Sequence, residues 1–104
     1  MQDEITYKLL KTLEENPNQS QRQLSQSLGV SLGKTNYCLK ALMERGLVKA
    51  GNFRRSERKT KYLYLLTPKG VETKAKVTLR FLQRKLSEYE RLKIEIEQLQ
   101  KEVV

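Results

Sequence analysis

The chain has 104 residues, with 21 Lys and Arg against 12 Asp and Glu and no histidine, for a formal net charge of +9. A surplus of that size suits a polyanionic partner, nucleic acid or an anionic membrane, and the length allows one domain or a small domain with an appendage. Without histidine there is no imidazole base or His-based zinc site, and Cys38 alone cannot complete a thiolate site. The glycines at 29, 33, 46, 51 and 70 are scattered and form no phosphate loop. An enzyme is therefore not expected, nor a metal or cofactor. No apolar run approaches the ~20 residues of a membrane span, and MQDEITYKLL lacks the layout of a signal peptide. A lone cysteine fits a reducing compartment. The expected setting is the cytoplasm, with no membrane partner.

Asp3 to Glu15 read as an amphipathic helix, with Ile5, Leu9, Leu10 and Leu13 as its apolar stripe and packing as its whole role. Asn16-Pro17-Asn18 ends it, because proline disfavours helix in the residue before it. Ser20 can cap a second helix in a capping box with Gln23, and Leu24 and Leu28 share one face. Gly29 supplies the left-handed turn that ends this helix, and Val30 turns inward. Ser31 caps a third helix, whose positions Thr35, Leu39 and Leu42 (with Met43 beside them) fall at helical spacing. Two helices with a short Gly-containing turn make a helix-turn-helix, whose second helix enters the DNA major groove. The outward face of that helix offers Ser31, Gly33, Lys34, Asn36, Tyr37 and Lys40, groups suited to phosphates and base edges. Cys38 on the same helix reads as a small packed hydrophobe.

After Gly46 the period changes. Leu47 to Phe53 and Lys61 to Leu66 read as two short strands. The loop between them, RRSERKT, sets Arg54, Arg55, Arg58 and Lys59 against Glu57 alone, and like charges so crowded call for a polyanion nearby. Three helices and a hairpin with a basic tip describe a winged helix. From Thr67, a cap, and Pro68, in the first turn, one helix runs to the end of the sequence. About 37 residues at ~1.5 Å each would span ~55 Å, more than a three-helix core covers. Ala75, Leu79, Leu82, Leu86, Tyr89, Leu92, Ile96, Leu99 and Val103 form a heptad-like seam, irregular between Tyr89 and Leu92. A narrow apolar stripe on a protruding helix suits self-association. Its first half, Thr67 to Leu86, is mostly basic and its second, Ser87 to Val104, mostly acidic. That division favours antiparallel pairing about Tyr89.

LTPKG at 66–70 resembles the motif by which MarR-type winged-helix regulators close the wing and open the next helix. The stretch QRQLSQSLGVSLGKTNYCLKALMERGLV is similar to their helix-turn-helix and wing entry. The likeness is greatest to the small MarR-like regulators associated with bacterial exopolysaccharide loci, and covers residues 3 to about 75. It implies a transcriptional regulator that binds double-stranded DNA as a dimer. The sequence departs from that family's pattern in two places. The family usually has a dimerisation helix ahead of the first helix here, and this sequence has none before Asp3. The family's wing usually carries Asp-x-Arg, where this chain reads Phe53-Arg54-Arg55-Ser56. The family's ligand pocket lies between the dimerisation and DNA-binding helices, so no small-molecule effector is expected.

The fold class expected is mainly α with a small β-hairpin: a winged helix-turn-helix over residues 1–66, followed by a long coiled-coil-like dimerisation helix over 67–104. The function expected is a homodimeric DNA-binding transcriptional regulator, a repressor rather than an activator. Two rivals stay open: a low-specificity architectural DNA-binding protein, and a protein-interaction module working through the last helix.

Overall fold

The structure, a computed structural model, describes residues 3–56 and 59–103, with side chains throughout except at 52–56 and 59–62. The elements in chain order are α1 (Asp3–Glu15), α2 (Gln21–Leu28), α3 (Leu32–Glu44), β1 (Val48–Ser56), β2 (Lys59–Leu66) and α4 (Pro68–Val103). Leu9, Leu10 and Leu13 of α1 meet Leu24 of α2, Cys38, Leu39 and Leu42 of α3, and Leu47, Val48 and Tyr64 of the hairpin in one buried cluster. Leu28 and Ile5 pack at its edge. The stripes at helical spacing are thus the core.

The helix ends follow local chemistry. Ser20 and Gln23 form the reciprocal capping box at the start of α2. Gly29, at φ 68°, closes α2, with its amide directed to Gln26 O and that of Val30 to Ser25 O. Gly46, at φ 72°, closes α3 the same way, through Gly46 N to Met43 O and Leu47 N to Leu42 O. Both are Schellman ends, in which the left-handed residue carries no Cβ penalty.

The hairpin is longer than the apolar pattern suggests. The antiparallel ladder runs from Val48 opposite Leu66 out to Ser56 opposite Lys59, with an irregularity between Arg54 and Ser56. Arg54, Arg55 and Lys59 therefore lie on strands and not in a loop, while Arg58 falls outside the described residues. Beyond Gly51 the pairing needs only backbone hydrogen bonds, which any side chain but proline permits. Charge did not mark where the ladder stops.

α1 does more than fill the core. Tyr7 stacks on Phe81 of α4 with ring centroids 5.1 Å apart. Asp3 accepts from Arg80 at 3.1 Å and Arg84 at 3.2 Å, and Glu14 pairs with Lys74 at 2.9 Å. With the buried Val77, these contacts seat the first turns of α4 along α1. From Leu82 to Val103 every residue is exposed, and the molecule measures 71 × 25 × 21 Å. The long helix is thus docked at its start and projects beyond it.

Between α3 and α4 the backbones nearly touch. The Thr67 hydroxyl donates to Gly46 O at 2.6 Å and accepts the Gly70 amide at 3.0 Å, while the Thr67 amide donates to Leu47 O at 3.0 Å. Lys69 Nζ reaches Arg45 O at 3.2 Å, a cation on the carbonyl end of α3. A Cβ on Gly70 would collide with the Leu47 carbonyl, which is rigid backbone. Gly70→Ala should therefore destabilise the protein by about 1–3 kcal/mol, as overpacking does. Gly33→Ala, with open space around it, should be neutral or stabilising by up to ~1 kcal/mol through helix propensity. Urea denaturation of the two variants checks the contrast.

The Arg80 guanidinium beside Asp3, helped by Arg84, holds the Asp3 carboxyl below its ordinary range. A group so lowered stabilises the fold above its unfolded pKa and loses that contribution as pH falls through the folded value. The stability difference between the wild type and Asp3→Asn should be largest near neutral pH and low salt. It should shrink below about pH 4 and in high salt. Thermal melts across pH measure it.

Candidate nucleic-acid interface

The face of α3 turned from the core is set by its first turn. Ser31 accepts the Lys34 amide at 3.1 Å, and the Thr35 hydroxyl donates back to Ser31 O at 3.0 Å. Thr35, Cys38, Leu39 and Leu42 are thereby turned inward and buried. Ser31, Gly33, Lys34, Tyr37 and Lys40 are exposed together on the outer side, with Tyr37 72% exposed. Asn36, half-buried, is turned toward α2, where Gln21 Nε2 lies 3.3 Å from its Oδ1. Cys38 is a free thiol in the core, as its apolar surroundings require.

The cations of α4 and of the helix-turn-helix differ in their partners. On α4, Lys74, Arg80 and Arg84 are paired with α1 acids, Lys76 with Glu72 and Lys85 with Glu88. Surface pairs of this kind stabilise little, but Asp3 and Glu14 offset part of the charge on the basic half of α4. The division of charge along α4 is accordingly reduced as a guide to pairing direction, and it still favours the antiparallel arrangement. Arg22, Lys34, Lys40 and Lys49 have no carboxylate partner among the described residues, and all are exposed. Among the described residues, cations without acid partners thus lie on the helix-turn-helix and at the root of the hairpin, and also at Lys11, Lys69 and, farther along α4, Arg91, Lys93 and Lys101. A signal for this was present in the sequence: no Asp or Glu occurs between Glu15 and Glu44. In a chain this rich in charge, the gap marks a surface kept free of anions.

Two residues without a motif, Gln21 and Tyr64, join Asn36 in holding this surface together. Gln21 Nε2 also lies 3.5 Å from Tyr64 Oη, and the Tyr64 amide donates to Pro17 O at 3.3 Å. Gln21, Asn36 and Tyr64 thus join α2, α3 and β2 at one point. Nothing in the spacing of these residues announces the contact, because it forms only when three separate elements meet.

The model of a family of winged helix-turn-helix DNA-binding domains matches residues 2–49. ZitR from Lactococcus lactis is 27% identical with a TM-score of 0.62, over 86% of this chain and 64% of that one. CouR, a transcriptional repressor solved bound to a 23-mer DNA duplex, is 28% identical with a TM-score of 0.58, over 69% of this chain and 49% of its own. MarR of Staphylococcus aureus, solved with salicylate and kanamycin, is 21% identical with a TM-score of 0.59, over 83% of this chain and 56% of that one. The chain thus spans 49% to 64% of the length of these proteins. No curated protein matches it by sequence.

The fold is that of a winged helix-turn-helix, and residues 2–49 are similar to DNA-binding domains of that class. Within that class it is MarR-like, as the LTPKG closure and the fold shared with ZitR, CouR and MarR agree.

Proposed function

We propose that the chain is a homodimeric transcriptional regulator that acts in the cytoplasm on double-stranded DNA and represses by occlusion. The observation that carries this reading is the outer face of α3, where exposed Lys34, Tyr37 and Lys40 project from a helix-turn-helix with no acid on its outer side before Glu44. CouR, bound to DNA on the same fold, supports it. Residues 1–66 form the reading head: α3 enters the major groove, and Arg54, Arg55, Arg58 and Lys59 on the wing follow phosphates or the adjacent minor groove. Most of the affinity then comes from backbone charge, and selectivity from the few groups on α3.

Residues 67–104 bring two heads together. Leu79, Leu82, Leu86, Tyr89, Leu92, Ile96, Leu99 and Val103 are all exposed, an unbroken apolar line on a helix with polar flanks. Its steps are symmetric about Tyr89, so a second copy meets it seam to seam whether the helices run parallel or antiparallel. Side chains of this kind contribute roughly 1.5–3 kcal/mol each when fully buried, enough in sum to exceed the cost of association.

Gel shifts with genomic fragments at moderate salt test the reading, and preference for one fragment over random DNA separates a regulator from an architectural protein. In the same assay, replacing Lys34 and Lys40 with Ala should flatten the slope of log K against log[salt] by up to ~2 units. An unchanged slope would remove α3 from the interface. The double change Leu86→Glu with Ile96→Glu should yield monomers in sedimentation, with much weaker operator binding and an intact α-helical head. A dimer that persists would exclude the seam.

A further inference from the structure

A side chain that reads a base does so with the polar atoms it turns outward, so whatever holds its other end takes part in the reading. A free asparagine amide can pair with adenine twice, accepting from N6 and donating to N7. Asn36 is not free in this way. Its Oδ1 faces Gln21 Nε2 at 3.3 Å, and the same nitrogen lies 3.5 Å from Tyr64 Oη. Tyr64 is buried and tied through its amide to Pro17 O, so the anchor is part of the core and does not follow Asn36 about. With Oδ1 turned inward, what Asn36 offers to the exposed side of α3 is Nδ2, a donor only.

We propose that Gln21 is a positioning residue that fixes Asn36 as a hydrogen-bond donor. It biases the base pair under Asn36 toward acceptor edges, guanine N7 and O6 or thymine O4, and away from the two-point adenine contact. The inference rests on α3 being the DNA-reading helix. It adds a specificity determinant outside that helix, on the first residue of α2.

Binding-site selection from randomised duplexes, with the wild type, Asn36→Ala, Gln21→Glu and Gln21→Met, tests it. Asn36→Ala should lose preference at one base pair of each half-site, which identifies the position. Gln21→Glu can only accept, so Asn36 should turn Nδ2 toward the carboxylate and Oδ1 toward the groove. Preference at that same pair should then move to the amino edges of adenine or cytosine, by roughly tenfold between bases. Gln21→Met holds neither end, so Asn36 is free to make the two-point contact and preference at that pair should move to adenine. Preferences elsewhere in the site should stay as in the wild type, and thermal melts should show all four proteins folded.

A wild-type preference for adenine at the Asn36-dependent pair would overturn the proposal. So would an Asn36→Ala variant with unchanged preferences, or Gln21 variants that keep the wild-type base. A wild type that binds no DNA at any salt would instead remove the regulator reading itself, a result plainly different from these.

Discussion

Everything in this molecule hangs on the place where α4 begins. Thr67 bonds the carbonyl of Gly46, Lys69 that of Arg45, and Gly70 lets the α4 backbone lie against Leu47. These three carbonyls belong to the end of α3 and the entry to the hairpin. The last turn of a helix leaves its carbonyls without intrahelical partners, and here the next helix supplies part of what they lack. The angle of the reading helix, the origin of the wing and the direction of the long helix are thereby fixed by one small set of hydrogen bonds. A shift of α4 is felt at α3 because almost no soft material separates them.

Charge is distributed with the same economy. The chain has far more cations than anions, yet Asp3 and Glu14 of α1 face α4 and hold three of its cations. α2 carries no acid at all, and α3 only Glu44 at its last position. The result separates two tasks that a uniformly basic surface would mix. Docking of α4 uses paired charges beside the Tyr7–Phe81 stack, while the outer face of α3 keeps its lysines unpaired. Long-range attraction to a polyanion falls within about a Debye length, ~8–10 Å at ordinary salt, so where the unpaired charges sit matters more than the total.

Much of this was legible in the sequence, for reasons that differ by element. The spans of α1, α2 and α3 followed from caps and periodicity, since Ser20, Gly29, Ser31 and Gly46 act on their immediate neighbours and need no tertiary context. The hairpin's extent was not legible: the ladder passes through Arg54 and Lys59 because backbone pairing is indifferent to their charge. The docking of α1 on α4 was also hidden. Tyr7 with Phe81 and Asp3 with Arg80 lie far apart in the chain, and neither periodicity nor motif connects them. Of the candidate reading residues, the exposed lysines and Tyr37 stood out by type and phase. The commitment of Asn36 to Gln21 did not, because a side-chain hydrogen bond between two helices leaves no period behind.

The length of α4 carries its own consequence. A compact chain of this size has a radius of gyration near ~13 Å, whereas this one reaches 18.5 Å because the helix projects. Isolated helices are marginal in water, and most helical stability in proteins comes from packing an apolar face. From Leu82 to Val103 every side chain of α4 is exposed, and only Arg84 is tied back to α1 by an ion pair, although the seam offers a face to cover. On the homodimer proposed above, the second copy completes the helix as much as the helix completes the dimer. Order in the distal half of α4 and the pairing of two reading heads then become one equilibrium, set by protein concentration. Two heads on one duplex raise their effective concentration for each other's half-site. Occupancy of an operator would then rise more steeply with the amount of protein than a monomeric reader allows.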